Sequence, residues 1–317
     1  MKKIWIVLTL FVALLFMFPL LMVPKSPSAP RPAETAVEYC PFEITVEGMD
    51  KPIPLEEYVK GVVAAEMPAT FKKEALKAQA LAARTYALRT TQKGEVPIAK
   101  DVSAQVYYSK AEREKNWGKE FAKKEKKIEK AVKETAGEVI LYEDELISAM
   151  FFSTSNGKTE TAKNYSGTDI PYLQSVESKG EAALTTAYQE EVKLPLAKWN
   201  EAFGLDWTEE MFQSLQLVRN STGRVQKVMT AGFEKEGRAV RELLGLRSTD
   251  FNIAFDMTNN LVLINTVGYG HGVGMSQYGA EALAQEGSTA YEIIEHYYTD
   301  TSVEKILIND PACLKSP

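Results

Sequence analysis

The chain has 317 residues, 45% hydrophobic and 25% charged, the make-up of a globular protein with a sizeable core. Its net charge of −6 and pI near 5.3 exclude a nucleic-acid binder held by phosphate contacts. Any anionic polymer must therefore be recognised by particular groups rather than by bulk charge.

Lys2 and Lys3 precede an uncharged run of 20 residues, Ile4 to Val23. At 1.5 Å per residue that run matches a hydrocarbon layer of ~30 Å. The lysines mark the cytoplasmic side, so the rest of the chain is expected outside. A cleaved signal peptide is the competing reading. Against it, the apolar run is long, and Pro24 and Pro27 stand where a small-residue cleavage site is wanted. The expectation is a retained single-pass membrane anchor over residues 1–24. Pro24 to Ala33 is proline-rich and reads as an extended spacer, giving a linker over residues 25–37 and a folded extracytoplasmic domain from 38 to 317. Cys40 and Cys313 stand near the two ends of that domain. They can join as a disulfide clasp or remain two free thiols, and the sequence leaves both open. Neither has metal-site spacing, so no metal or cofactor is expected.

Phe42 to Val46 alternates apolar and polar as a strand does, followed by a turn over Gly48 to Lys51. Pro54 opens a helix from Leu55 to Glu66, with Leu55, Val59, Val62 and Val63 as its apolar stripe, and Pro68 stops it. Thr70 is placed to cap a second helix, Lys72 to Thr91, with Glu74 near its start. Lys110 to Glu134 mixes lysine and glutamate at helical spacing and reads as a solvated helix face with no function. Val139 to Tyr142 and Leu146 to Phe152 suggest a hairpin around Glu143-Asp-Glu145. A polar loop follows, Ser153 to Glu160. Gln213 to Gly232 reads as a hairpin about Ser221-Thr-Gly223. Asn220-Ser-Thr222 fits a glycosylation acceptor there, but a turn is the plainer meaning. A short helix over Gly237 to Leu246 and a strand pair, Phe251 to Phe255 with Leu261 to Thr266, come next. The glycine-rich run Gly268 to Gly279 leads into helices Ala280 to Gln285 and Tyr291 to Tyr298. Early helices and later hairpins give an α+β domain.

Glu66 closes its helix beside the negative end of the helix dipole, among apolar neighbours. Both effects disfavour the charged carboxylate and raise its pKa, as a general acid requires. The plain alternative is a surface acid in a frayed last turn. Lys77 and Arg84 lie seven apart on one face of the second helix, where they can bind substrate carboxylates or amides, or pair with Glu56, Glu57 or Glu74. Alanines around them keep that helix slim. Loop Ser153 to Glu160 offers hydroxyls, an amide and Lys158 as hydrogen-bonding groups. His271, Ser276 and Gln277 sit among glycines that permit close backbone approach, and His271 reads equally as a core histidine or a groove residue. The glycine order does not match a dinucleotide fingerprint. Tyr86, Tyr165, Tyr172, Tyr188, Tyr269 and Tyr278 are candidate sugar platforms, although most aromatics are core.

Four stretches together carry a resemblance. They are Gly61-Val-Val-Ala-Ala-Glu-Met-Pro68, Glu74-Ala-Leu-Lys-Ala-Gln-Ala-Leu-Ala-Ala-Arg-Thr-Tyr86, Ser153-Thr-Ser-Asn-Gly-Lys-Thr-Glu160 and Gly270-His-Gly-Val-Gly-Met-Ser-Gln-Tyr-Gly279. They resemble the stage II sporulation protein D family, whose domain is shared with amidase-enhancer proteins. The resemblance implies a peptidoglycan lytic transglycosylase that cuts peptide-free glycan strands during forespore engulfment. It implies a location in the cell membrane, facing the septal space. The partners it implies are an amidase/endopeptidase and a polytopic membrane protein. It puts the catalytic glutamate at Glu66, glycan-binding positions at Lys77 and Arg84, and further groove residues at Ser153, Ser155, His271 and Gln277. One departure stands out. Some relatives bind zinc through cysteines and a histidine around the serine-rich loop, whereas Phe152 precedes Ser153 here with no cysteine nearby. The loop is therefore expected to hold its shape by hydrogen bonds.

A glycoside hydrolase usually needs two carboxylates, whereas a lytic transglycosylase can work with one acid that then acts as base. The rival expectations are a wall-binding module that activates an amidase, a scaffold of a membrane complex, and a hydrolase that leaves reducing ends.

Overall fold

Pro54, with φ preset for a helix start, ends a short antiparallel pair, β1 (Glu43–Ile44) with β2 (Ile53–Pro54), and opens α1 (Leu55–Glu66). This is a computed structural model describing residues 39–311 and residue 313. The expected anchor and spacer lie outside the described residues. Among these, no helix is long and apolar enough to cross a membrane. The α1 stripe Leu55, Val59, Val62 and Val63 is buried, as the helical period requires. Gly61 lies on the same helix because a Cβ there would stand 2.2 Å from the Tyr107 ring and 2.8 Å from the Tyr108 carbonyl oxygen. That bare spot lets the Val106–Tyr108 segment cross α1 closely, and Tyr108 N–H donates to the Gly61 carbonyl at 3.2 Å.

The alanine-rich α2 (Lys73–Thr90) packs against α1 and several later helices, with most of its residues buried. Its expected cap is corrected. Lys72 holds the N-cap position, Glu281 accepts its backbone N–H at 2.6 Å, and Thr70 lies exposed in the turn before it. The lysine-rich stretch is also corrected, from one solvated helix to two helices with a buried side. α3 (Lys110–Trp117) carries a capping box from Ser109 and Glu112, and a short 3-10 turn separates it from α4 (Phe121–Glu134). Ile128, Ala131 and Val132 are buried, and Arg113 is wholly buried between Glu57 at 2.8 Å and Glu125 at 2.9 Å.

β3 (Glu138–Tyr142) and β4 (Glu145–Leu146) form the expected hairpin across Glu143 and Asp144, both at positive φ. The return strand stops at Leu146 rather than running to Phe152. Phe151–Phe152, β5, pairs in parallel with the distant Met275–Ser276 instead. After the single-turn α5 (Ala162–Ser166), residues 189–267 build a second core.

This region holds β6 (Gln189–Pro195), α6 (Leu196–Phe203), α7 (Glu209–Gln213), β7 (Gln216–Arg219), β8 (Val225–Thr230), β9 (Phe233–Glu236), α8 (Gly237–Leu244), β10 (Phe251–Asp256) and β11 (Leu261–Val267). Its sheets run β7-β8-β9 and β10-β11-β6, all antiparallel. Strands β6 and β9 complete the two expected hairpins into three-stranded sheets. Trp199, Trp207, Phe251, Val262 and Ile264 fill the core between them. The chain then returns to the first core through β12 (Met275–Ser276), α9 (Gln277–Gln285), α10 (Ala290–Tyr297) and β13 (Ser302–Lys305), which pairs with β3. Cys40 and Cys313 are joined in a disulfide. Helices and small sheets are thus mixed about two cores, with Tyr39 onward forming one unit.

Candidate active site

Val63 accepts the N–H of Met67, whose extended backbone ends α1, and Pro68 then turns the chain away. Glu66 is left as the last helical residue, half-buried at the edge of a cavity of about 470 Å3. Glu66, Pro68, Trp117, Lys124, Ser153, Gln277 and Tyr278 are among its lining residues. Glu66 is the only carboxylate among them. Burial pushes its pKa above the usual carboxylate range, partly offset by hydrogen bonds from the Val106 N–H and the Gln277 amide. The Val106 N–H donates to Oε1 at 2.8 Å, while Gln277 Nε2 makes a longer contact of 3.5 Å with Oε2. Oε1 is therefore the more firmly held acceptor, and Oε2, with its longer contact, is the oxygen more open to a proton. Gln277 Nε2 also lies 3.5 Å from Gln79 Oε1, tying the site to the buried face of α2.

Glycine is what brings Gln277 there. Gly274 adopts φ +78°, and a Cβ on it would stand 2.0 Å from the Met150 carbonyl oxygen. The close approach allows β12 to pair with β5, placing Ser153 and Gln277 on one cavity.

The other expected site residues fall elsewhere. Arg84 makes the pair with Glu56 that the sequence also left open: its side chain has no exposure and holds both carboxylate oxygens at 2.9 and 2.6 Å. It also donates to the Glu138 carbonyl at 3.0 Å. Lys77 pairs with Glu74 at 3.1 Å and lies 5.7 Å from the centroid of the Tyr291 ring, also away from the cavity lining. The physical reason is shared. Their face of α2 carries Glu74 and meets Glu134 of α4 and Glu56 of α1, and desolvated cations take those partners first. Ser155 is wholly buried, bonded to Glu181 and absent from the cavity lining.

His271 parts from Gln277 although only six residues separate them. It borders a second cavity, sharing no lining residue with the first. Its Nδ1 accepts the Val273 N–H at 3.0 Å, and burial together with Arg241, Arg224 and Arg238 pushes its pKa down to about 4. Of the tyrosines, Tyr278 lines the Glu66 cavity and Tyr165 the second one, while Tyr172 is buried and accepts the Ser148 N–H. The Asn220 motif is a turn, with its Oδ1 accepting the N–H groups of Thr222 and Arg224 at 3.0 Å.

Sequence reasoning missed Val106, Gln79, Trp117 and Lys124. Val106 contributes a main-chain N–H that no side-chain pattern reveals. Lys124 is one of many lysines in its helix, and only packing shows that this one, paired with Glu120 at 2.6 Å, borders the cavity.

Helices and small sheets that bring one acid, one side-chain amide, two aromatic rings and a lysine to a cavity define a mixed α/β protein with a polar site. A family model described as "Stage II sporulation protein" matches residues 48–142, which span Glu66 and both helices around it. Stage II sporulation protein D of Bacillus subtilis (strain 168) is 38% identical, with 96% of each chain covered. Its namesake in Bacillus amyloliquefaciens is 40% identical over 80% of this chain and 75% of its own. An amidase enhancer of Bacillus subtilis (strain 168) is 27% identical over 77% of this chain and 40% of its own. The chain belongs to the stage II sporulation protein D family, a family of sporulation proteins.

Proposed function

We propose that the protein is a peptidoglycan lytic transglycosylase that cuts peptide-free glycan with Glu66 as its single acid and base. The observation that carries this reading is a raised-pKa carboxyl, alone among the residues of its cavity. A two-carboxylate hydrolase needs a second acid roughly 5–9.5 Å from the first across the scissile bond, and the lining supplies none.

In the proposed reaction the Glu66 carboxyl gives its Oε2 proton to the oxygen leaving C1 of N-acetylmuramic acid, and the C1–O bond breaks. The resulting carboxylate takes the proton of the same sugar's C6 hydroxyl, whose oxygen bonds to C1. A 1,6-anhydro ring forms, no water is consumed, and Glu66 ends protonated as it began. The Val106 N–H holds Oε1 throughout and stabilises the transient carboxylate. Tyr278 and Trp117 offer ring surface for sugars. Lys124 offers the positive charge for the lactyl carboxylate, the role that Lys77 and Arg84 were expected to fill.

The run Ile4 to Val23 supports a membrane-anchored enzyme acting outside the cytoplasm. Family membership supports a role in sporulation, and engulfment, with an amidase/endopeptidase and a polytopic membrane protein as partners, is the setting proposed for it. The likeness to an amidase enhancer favours a second reading, in which the domain binds wall glycan and activates an amidase without cutting. Glu66→Gln separates the two. On peptide-free glycan it should lose about 100- to 10,000-fold in release of anhydro-disaccharides, weighed by mass spectrometry. No release by the parent would leave only the non-catalytic reading, equal release by parent and variant would remove Glu66 as the acid, and products heavier by one water would identify a hydrolase.

A further inference from the structure

The second cavity, of about 500 Å3, lies between α5 and the β8–α8 part of the second core. Its lining carries Lys163, Arg224, Lys227 and Arg238 with two carboxylates, Glu160 and Glu236. Lys227 is paired with Glu234 at 2.6 Å and Arg238 with Glu242 at 2.8 Å, which leaves Lys163 and Arg224 as the cations without an ion-pair partner among the described residues. Glu160 is already satisfied by neutral donors. Thr161 N–H at 2.8 Å, Asn164 at 2.9 Å, Asn220 at 2.6 Å and Thr222 at 2.8 Å all point to its carboxylate.

Arg224 is the unusual member. It is 3% exposed, its guanidinium packs against the bare Cα of Gly272, and Nη2 donates to the Lys158 carbonyl at 3.1 Å. Nη1 is buried with no acceptor among the described residues. Desolvation lowers its pKa, and its nearest acids act on it through space without a hydrogen bond. A desolvated guanidinium with an unmet donor is stabilised by an anion delivered to it, because the fork geometry matches a carboxylate or phosphate. Lys163 is exposed on the rim and available to draw that anion in.

We propose that this cavity is an anion-binding site, in which Arg224 receives the carboxylate or phosphate group of a small ligand and Lys163 guides it. The site is separate from the Glu66 cavity, and the proposal does not rest on the reading given to Glu66.

The test titrates the full chain with three probes: inorganic phosphate, N-acetylmuramic acid, and N-acetylglucosamine as the neutral control. Affinity is read by calorimetry and location by the ring-proton signals of the two histidines. His271 borders the cavity and His296 does not. Binding of either charged probe, with movement of the His271 signal and none by the neutral sugar, is the expected result. Phosphate alone assigns the group to a phosphate, and N-acetylmuramic acid alone assigns it to a carboxylate. Lys163→Glu should weaken the anion by roughly fivefold without burdening the fold, and Arg224→Met should abolish binding. If Arg224→Met does not fold, the Lys163 variant decides. Equal binding of all three sugars and ions, or anion affinity unchanged by the rim variant, overturns the proposal.

Discussion

Replacing Arg84 by methionine decides whether that residue is a structural clamp or a hand for substrate. Its guanidinium has no exposure, grips both oxygens of Glu56 and reaches the Glu138 carbonyl, so the first turn of α1 and the start of β3 meet on it. Methionine keeps most of the volume and removes every one of those bonds. Among the described residues Glu56 then retains only the Gly137 N–H at 3.1 Å, although its own side chain is 22% exposed and can draw some water. Breaking a buried pair from one side costs about 3–5 kcal/mol, and that water access argues for the lower end. At roughly 2–4 °C per kcal/mol for a domain of this size, the midpoint should fall by about 6–12 °C. Thermal unfolding followed by circular dichroism measures it. A double variant, Arg84→Met with Glu56→Met, should recover part of the loss, because neither partner is then left buried alone. A midpoint within about 2 °C of the parent, together with weakened glycan binding, would refute the structural assignment.

Three other outcomes follow from the same geometry. Glu66 has a folded pKa above its ordinary 4.5, so the folded state holds that proton more tightly than the unfolded chain. Its contribution to stability is complete below that value and is lost as pH rises through the folded pKa. Glu66→Gln should therefore gain stability over the parent at pH 7 and lose that advantage below pH 4.5 in paired urea titrations. An advantage that does not depend on pH would remove the burial argument. Cys40 and Cys313 close a loop of sequence separation 273, for which the chain-entropy relation gives about 5.6 kcal/mol. Reduction, or Cys40→Ser, should lower the unfolding midpoint sharply, and no change would show the clasp to be idle. Gly274→Ala forces a Cβ into the Met150 carbonyl, so it should impair activity and stability together, whereas the same change at the open, solvent-facing Gly287 should cost far less. Comparable losses at both positions would contradict this account.

Local rules made much of the fold legible. Pro54 and Pro68 bracket α1, the apolar stripe gives its buried face, and the strand pairs Gln216–Arg219 with Val225–Thr230 and Phe251–Asp256 with Leu261–Val267 follow from alternation and turn residues. What stayed hidden depends on partners far along the chain. Phe151–Phe152 reads as the end of a hairpin because its partner, Met275–Ser276, lies more than a hundred residues away. Glu66 could be singled out because a carboxyl after an apolar run, just before Met-Pro, is locally odd. Lys77 and Arg84 could not be placed by spacing alone, since seven residues put them on one face without saying which acids face them. Lys124 and the Val106 N–H were illegible for the opposite reason. One is a common residue in a common context, and the other is main chain.

The serine-rich loop shows how a correct expectation about hydrogen bonding can hide a different division of labour. Its hydroxyls look ready for a polar ligand, yet that of Ser155 joins Ser178 and Ser276, from outside the loop, on one buried carboxylate, Glu181, which is 1% exposed. Ser155 and Ser178 hydroxyls donate to Oε1 at 2.6 Å, while the Ser155 N–H and the Ser276 hydroxyl donate to Oε2 at 2.8 Å. Four donors replace the water that burial removes, so the carboxylate becomes a hub rather than a penalty. Ser276 also caps α9 by accepting the Gly279 N–H at 3.2 Å, which makes it both tether and helix start. Gln277 is the first residue after that cap. Its direction toward Glu66 is thus set by a hydroxyl fixed from behind, and the loop serves the candidate active site by holding its neighbours still. Ser153, whose hydroxyl bonds only to its neighbour Thr154 among the described residues, is the one serine of the pair Ser153 and Ser155 left to face the cavity.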